Sequence, residues 1–327
     1  MIRLGRNLAY PRRVTAPWRI LIVCVLLAGC ESGPSLDDFL PAAPEPDGTA
    51  QAVWAGVAAS EADLVPGPAR SGVPGDFYLK NDRAHFVVQA ATRVIGIIPW
   101  GGNLVDGALA GGEDQIGEVS LVYQLGRTCA HDRVLVVRDG SGGGPAVVRA
   151  IGHAAPNDGI NLKGIGAVAI PNNTDADVED GVTCATTYTL RPGAVSLEIA
   201  WTLFNPNEEE IAGPLGVLSD VGGEIEVFVP RLAFSGLGGN LGDIFSAQDR
   251  SAPFVVYQAP GSAWGLIPRV GELRGVGFIV SGASFVVFGI EQFLQVIDPN
   301  HFPLHVPPKT GVTSMVEVAL GRDAAAI

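Results

Sequence analysis

The sequence predicts an all-β protein, a large two-sheet sandwich with one or two short helices, placed behind an export signal and a disordered tether. Three observations carry this. Gly (43) and Pro (24) are so dense in 327 residues that long helices have little room. Runs rich in β-branched and aromatic residues recur along the chain, bounded by Gly, Pro, Asn or Asp. With 47% hydrophobic residues the chain has the apolar content for a sizeable core, which excludes wholesale disorder.

The first 29 residues hold five arginines (Arg3, Arg6, Arg12, Arg13, Arg19) and no acid, followed by a nine-residue apolar run from Ile20 to Ala28. A basic head, a short apolar middle and a small-residue exit form an export signal. The run is too short for a lasting transmembrane helix, which needs about 20 residues. Its ending, Leu27-Ala28-Gly29-Cys30, resembles the lipobox of bacterial lipoproteins. The resemblance implies that Cys30 is diacylglycerated, cleaved to become the first mature residue, and acylated on its new amine. The lipid bilayer is then a partner through Cys30. Glu31, where the inner-membrane sorting signal has Asp, points to the outer membrane of the cell envelope. Loss of the leader's five arginines takes the net charge from −13 to −18. Nucleic acid is excluded as a partner, because it needs clustered Lys and Arg.

Residues 30–50 carry four prolines and no basic residue, which predicts an extended, solvated tether. The sandwich domain follows over 51–327. Its expected strands include Ala84–Ala90, Val134–Arg138, Ala146–Ile151, Thr186–Leu190, Leu197–Phe204, Glu224–Val229, Pro253–Gln258, Gly277–Val280, Ser284–Phe288 and Ser314–Leu320. The Gly-rich stretch Asp139–Pro145 reads as a hairpin loop. Ile290, Phe293, Leu294 and Ile297 have helical spacing and predict two turns of helix, stopped at Asp298-Pro299. Once Cys24 leaves with the leader and Cys30 is lipidated, Cys129 and Cys184 remain. Outside the cell they pair as a disulfide or pack as two buried thiols.

The stretch Tyr188–Asn205, with a Pro-Gly turn followed by alternating apolar residues up to an Asn, resembles a recurring phrase of galactose-mutarotase-like supersandwich domains. Gly75–Val88, Gly101–Asp106 and the closing Leu320–Ile327 are similar to the N-terminal module of large exported myxobacterial surface proteins. These resemblances imply a supersandwich spanning roughly residues 70–327, used for binding or as a structural module. A sugar-active enzyme of mutarotase or lyase type, and the non-catalytic N-terminal module of a larger surface hydrolase, are the alternatives.

No complete catalytic motif stands in the sequence. The five histidines form neither H-x-H nor H-E-x-x-H, and there is no G-x-S-x-G elbow. The resemblance asks for a His acid and a Glu base; His85, His131 and His153, with Glu198, Glu224 or Glu272, supply the types without the family's phrase, so no catalytic residue is assigned. His301 and His305 are separated by Pro303, which breaks the helix that would align them on a metal. No resident cofactor is expected apart from calcium, for which the acidic loop Asn172–Gly181 offers Asp175, Asp177 and Glu179. Ser235–Gly242 lacks both the G-x-G-x-x-G spacing and a following Lys, so it is not a phosphate loop. Trp100 and Trp264 stand among small residues that would leave an indole face open for stacking on a glycan, whereas Trp201 alternates with Leu197, Ile199 and Leu203 as core. An envelope protein is the other expected partner class. Replacing Cys30→Ala is expected to move the protein from the membrane pellet to the soluble fraction; unchanged pelleting refutes the anchor.

Overall fold

The computed structural model describes residues 33–67, 69–96, 98–114, 116–124, 126–157, 181–220, 225–230, 233–236, 251–269, 273–278, 283–288 and 299–327. In chain order the strands are β1 Val53–Val57, β2 Phe77–Asn81, β3 Ala84–Val88, β4 Leu104–Leu109, β5 Val119–Tyr123, β6 Arg127–Arg138, β7 Ala146–Pro156, β8 Thr183–Leu190, β9 Ser196–Asn205 and β10 Ile211–Gly213. The second half gives β11 Leu215–Asp220, β12 Glu226–Val229, β13 Ala233–Gly236, β14 Ser251–Ala252, β15 Val255–Ala259, β16 Ser262–Pro268, β17 Leu273–Phe278, β18 Ala283–Phe288, β19 Leu304–Val306 and β20 Thr310–Gly321. Helical structure among the described residues is confined to short 3-10 turns. The helix expected over Ile290–Ile297, and most of the Gly-rich stretch Ser235–Gly242, lie outside the described residues.

The ladders among the described residues are antiparallel, and their pairings resolve into two layers. One runs β1-β2-β3-β4-β5-β11-β18-β17-β14. The other runs β6-β7-β8-β9-β20-β16-β15-β12-β13. Among the described residues they join only at the pair Tyr123↔Arg127, and β10 with β19 makes a separate small ladder. A single continuous core takes side chains from both layers: Leu79, Phe86, Leu104 and Val217 from the first, Tyr188, Ile199, Trp201, Leu266 and Val318 from the second. This is the two-sheet sandwich that the alternating runs predict, since every second residue of each strand enters the common interior. Polar ties cross between layers. Asn81 Nδ2 donates to the carbonyls of Arg191 and Ala194, both at 2.9 Å, and Tyr257 Oη meets Ser284 Oγ at 2.7 Å.

Cys129 and Cys184 form a disulfide, Cα to Cα 6.0 Å, linking β6 to β8 across β7. Gly152 of β7 pairs with both His131 and Cys184. A Cβ at Gly152 would overlap the Ala130 carbonyl, so the missing side chain lets the flanking strands crowd in at this point.

The tether expected over residues 30–50 needs correction from Pro34 onward. These residues lie as a strap on the outer face of the second layer. Leu36 is buried with Ala185 and Phe204, and the Phe39 ring stacks on that of Phe204 at 5.6 Å. Arg149 donates to the Pro41 carbonyl at 2.6 Å, Arg138 donates to that of Pro44, and Gly48 N–H reaches the Gly142 carbonyl at 3.0 Å. Proline density alone favours a solvated linker. Three apolar side chains, with carbonyls that prolines leave free to accept from arginines, are instead enough to dock it.

Replacing both Cys129 and Cys184 by Ala is expected to lower the unfolding free energy by about 4 kcal/mol, the chain-entropy value for a loop of this length. Urea denaturation measures it; a change below about 1 kcal/mol would show that the strand pairing already holds this loop closed in the unfolded chain.

Candidate functional site

Two features at the edges of the sandwich present polar or aromatic groups outward. The first is the loop between β3 and β4. It closes where Gln89 N–H donates to the Asn103 carbonyl at 2.8 Å. The buried carboxylate of Glu118 accepts from Ile98 N at 3.1 Å and from Asn103 Nδ2 at 2.7 Å, and Asn103 Nδ2 also reaches the Trp100 carbonyl at 2.8 Å. From the opposite layer, Tyr188 Oη donates to the Gly102 carbonyl at 2.8 Å. His131 Nδ1 lies 2.6 Å from the Gly101 carbonyl and its Nε2 lies 3.0 Å from Thr186 Oγ1. A carbonyl only accepts, so Nδ1 carries the proton and Nε2 accepts from the threonine hydroxyl. Gly102 has φ +83°, and a Cβ there would sit 2.5 Å from His131 Nδ1, so the histidine is seated against bare backbone. The loop is thereby pinned next to Trp100, which keeps 37% of its surface exposed.

Burial pushes the His131 imidazole down to about 4, outweighing its bond to Gly101 and the nearby Asp132, and burial raises the Tyr188 phenol above its ordinary range. His131 is thus neutral with both nitrogens committed to the protein. It serves as a loop anchor and has no free nitrogen for proton transfer to a ligand. His85 is likewise held down to about 4, chiefly by burial. His153 pairs at the surface with Asp132 at 3.2 Å, and Glu198 pairs with Arg191 at 2.8 Å. Glu224 and Glu272 lie outside the described residues.

The second feature is a cavity of about 270 Å³ at one end of the sandwich. Its walls are the end of β4 and the turn beyond it (Gly107–Glu113), the β15–β16 hairpin (Gly261–Trp264), and the end of β20 (Leu320–Arg322). Register builds it: Trp264 pairs with Leu320 and Ala263 with Gly321, so three segments distant in sequence meet. Two of the lining residues, Trp264 and Ser262, carry a polar side-chain group, the indole Nε1–H and the hydroxyl, that is buried without a hydrogen-bond partner among the described residues. Exposed Glu113 and Arg322 supply a carboxylate and a guanidinium.

Trp264 corrects the expectation of an open stacking face. It is 1% exposed, and its ring lies against Tyr257 at 4.1 Å between centroids. The small neighbours that suggest openness have other reasons. Gly261 takes φ +81° in the hairpin turn, and Gly265 makes room for Ile327, which a Cβ would meet at 2.8 Å. Trp100 is the tryptophan of the two that keeps an exposed surface, while Trp201 is buried as expected. Cys30 and the calcium candidates Asp175, Asp177 and Glu179 lie outside the described residues, among which no cluster of three metal-ligating side chains occurs. Ser262, Glu113 and Arg322 carry no local signal; beyond glycine neighbours, nothing in the sequence marks them.

No protein-family model matches the sequence, and no curated protein does. Among solved structures, the chain is similar to a Synechocystis sp. PCC 6803 protein, with 11% identity over 80% of this chain and 98% of that one, TM-score 0.45. It is similar to a galactose mutarotase-like protein from Lactobacillus casei, with 10% identity over 76% of this chain and 100% of that one, TM-score 0.45. A TPR-domain containing protein from Parabacteroides distasonis shares 9% identity over 85% of this chain and 56% of its own length, TM-score 0.46. The two-layer arrangement itself stands on this chain's own strand registers.

Acid is expected to unseat the Trp100 loop and weaken the fold. Unfolded histidine titrates near 6.5, whereas folded His131 and His85 take a proton only near 4. Between those values the unfolded chain binds more protons, so stability is full above pH 6.5 and falls as pH drops toward 4. The loss from His131 is roughly 3 kcal/mol. A melting series over that range should fall less steeply in His131→Gln; an unchanged slope would exclude this histidine as the source.

Proposed function

We propose that the protein is a lipid-anchored cell-envelope protein whose β-sandwich binds a small carbohydrate in the end cavity. The observation that carries the binding half is that two of its lining residues, Trp264 and Ser262, hold buried, unpartnered polar groups, the indole Nε1–H and the hydroxyl. A buried donor left unpaired costs about 1–3 kcal/mol, which a ligand hydroxyl recovers by accepting from the indole and exchanging bonds with the serine. The volume, at the small end of ligand pockets, suits a molecule of monosaccharide size. Glu113 and Arg322 fit a polyol, which offers donors to the one and acceptors to the other. The anchoring half rests on the leader and its cysteine box, and puts the sandwich outside the cytoplasm, where glycans of the envelope are at hand.

Titration of the full chain with a panel of neutral and acidic mono- and disaccharides, followed by isothermal calorimetry, tests the binding. At least one sugar should bind. Trp264→Phe keeps the ring stack on Tyr257 and removes the N–H, and is expected to weaken that sugar about tenfold. Absence of heat with every sugar, or equal affinity in Trp264→Phe, would overturn the assignment of this cavity.

A further inference from the structure

The strap leaves very little free chain between the lipidation cysteine and the sandwich. Pro34 already lines a groove on the outer face with Asp132, Ile151 and Phe204, and Leu36 is buried two residues later. From Cys30 to Pro34 is four residue steps, which span at most about 14 Å even fully extended. A protein anchored at Cys30 is therefore held against its membrane, with the surface around Pro34 at headgroup level.

Strand β6 connects that surface to an apolar loop. Asp132 and Arg133 of β6 line the groove at Pro34, and the preceding residue, His131, holds Gly101 of the Trp100 loop. Trp100 Nε1 is also directed to the Pro156 carbonyl of β7, at 3.5 Å. The loop reads Val94-Ile-Gly-Ile-Ile-Pro-Trp100 without a polar side chain. Val94 is 61% exposed, and Ile95, Trp100 and, on the adjoining loop, Val73 are exposed as well. Arg93 ties the two loops together through Asp76 and the Ser71 carbonyl, so the one charge in the segment from Ala90 to Asn103 is already engaged. Of the large apolar side chains exposed among the described residues, only Trp54 and Val57 lie elsewhere, on β1. A pinned, uncharged loop that exposes Val94, Ile95 and Trp100 has the chemistry of the bilayer interface, where indole rings concentrate. The protein as a whole is acidic, so attraction to anionic headgroups does not drive the contact, and the exposed apolar side chains of the loop are what favour it.

We propose that the loop from Val94 to Trp100 seats in the interfacial layer of the membrane that holds Cys30, fixing the orientation of the sandwich on its anchor. The inference rests on the lipidation reading, since the short reach matters only if Cys30 carries acyl chains. The test uses the full-length protein purified from membranes and reconstituted in phosphatidylethanolamine–phosphatidylcholine vesicles, with brominated lipids as quenchers of tryptophan emission. Quenching is expected in the wild type and should fall at least roughly twofold in Trp100→Phe, because Trp201 and Trp264 are buried in the core and exposed Trp54 lies elsewhere, on β1. A second variant, Val94→Cys carrying an environment-sensitive dye at this exposed position, should shift to the blue in vesicles and not in the soluble Cys30→Ala background. Intact mass separates the two readings. Acylated protein with no lipid quenching and no dye shift overturns the seated loop alone; protein without acyl chains overturns the anchor and the inference together.

Discussion

Buried carboxylates and carboxamides that receive backbone N–H groups hold the loops of this sandwich to its sheets. Asp106 accepts from Ser71 N at 2.7 Å and Gly72 N at 2.8 Å; Asp76 accepts from Val73 N and Ala90 N and pairs with Arg93; Asp114 accepts from Gly107 N at 2.7 Å. Glu118 receives Ile98 N and Asn205 Oδ1 receives Asn207 N in the same way, while the amides of Asn103 and Asn205 also donate to the carbonyls of Trp100 and Val306. A carboxylate removed from water is costly unless its oxygens are bonded, so each such group admits few loop conformations. The cost is visible at Asp106, whose carboxyl burial pushes up despite its two backbone donors. At the surface the result is rigidity. Trp100 is exposed, yet the residues around it are fixed by Glu118, His131 and Tyr188.

The strands are largely legible in the sequence, and for a physical reason. β7, β8, β9, β18 and β20 contain the β-branched and aromatic runs that fit a pleated, buried surface. β1, β4 and β11 escape because VWAGV, LVDGAL and LGVLSD are interrupted by glycine or aspartate, and their apolar character falls below what a run reveals. Asp106 inside β4 reads as a turn residue in sequence and is a loop anchor in space. The same holds for the family-like phrases. Gly75–Val88 contains Asp76 and Asn81, Gly101–Asp106 contains Asn103 and Asp106, and Tyr188–Asn205 ends on Asn205. Such phrases record the hydrogen bonding of loops, so they speak to fold and not to chemistry.

The site is far less legible, because it is assembled by register. Ser262, Glu113 and Arg322 stand on three segments that only the β16–β20 ladder and the β4 turn bring together. Trp264 stands out in the sequence for the wrong property. Its small neighbours suggest a bare face, whereas they accommodate a hairpin turn and the C-terminal residues, leaving the N–H as the chemically unspent part of the ring. The strap is hidden for a related reason: composition reports solvation on average, and three apolar side chains at Leu36, Phe39 and Leu40 decide docking.

Strap, disulfide and His131 all converge on β6, and its position explains why. Beyond Arg127 this strand pairs only with β7 among the described residues, so one side of it has no ladder partner there. An edge strand of twelve residues left so would be free to twist away or to recruit another chain. Instead the disulfide ties Cys129 to β8, Arg138 binds the strap at Pro44, and His131 fastens it to the Trp100 loop of the other layer. Each device uses a different chemistry, covalent, charge-assisted and neutral hydrogen bonding, and each fails under a different condition. Because the strap and the loop share this strand, whatever fixes β6 also fixes the angle between the start of the strap and the exposed tryptophan. The edge that the sheet does not close by itself is thereby tied to β8, to the strap and to the opposite layer.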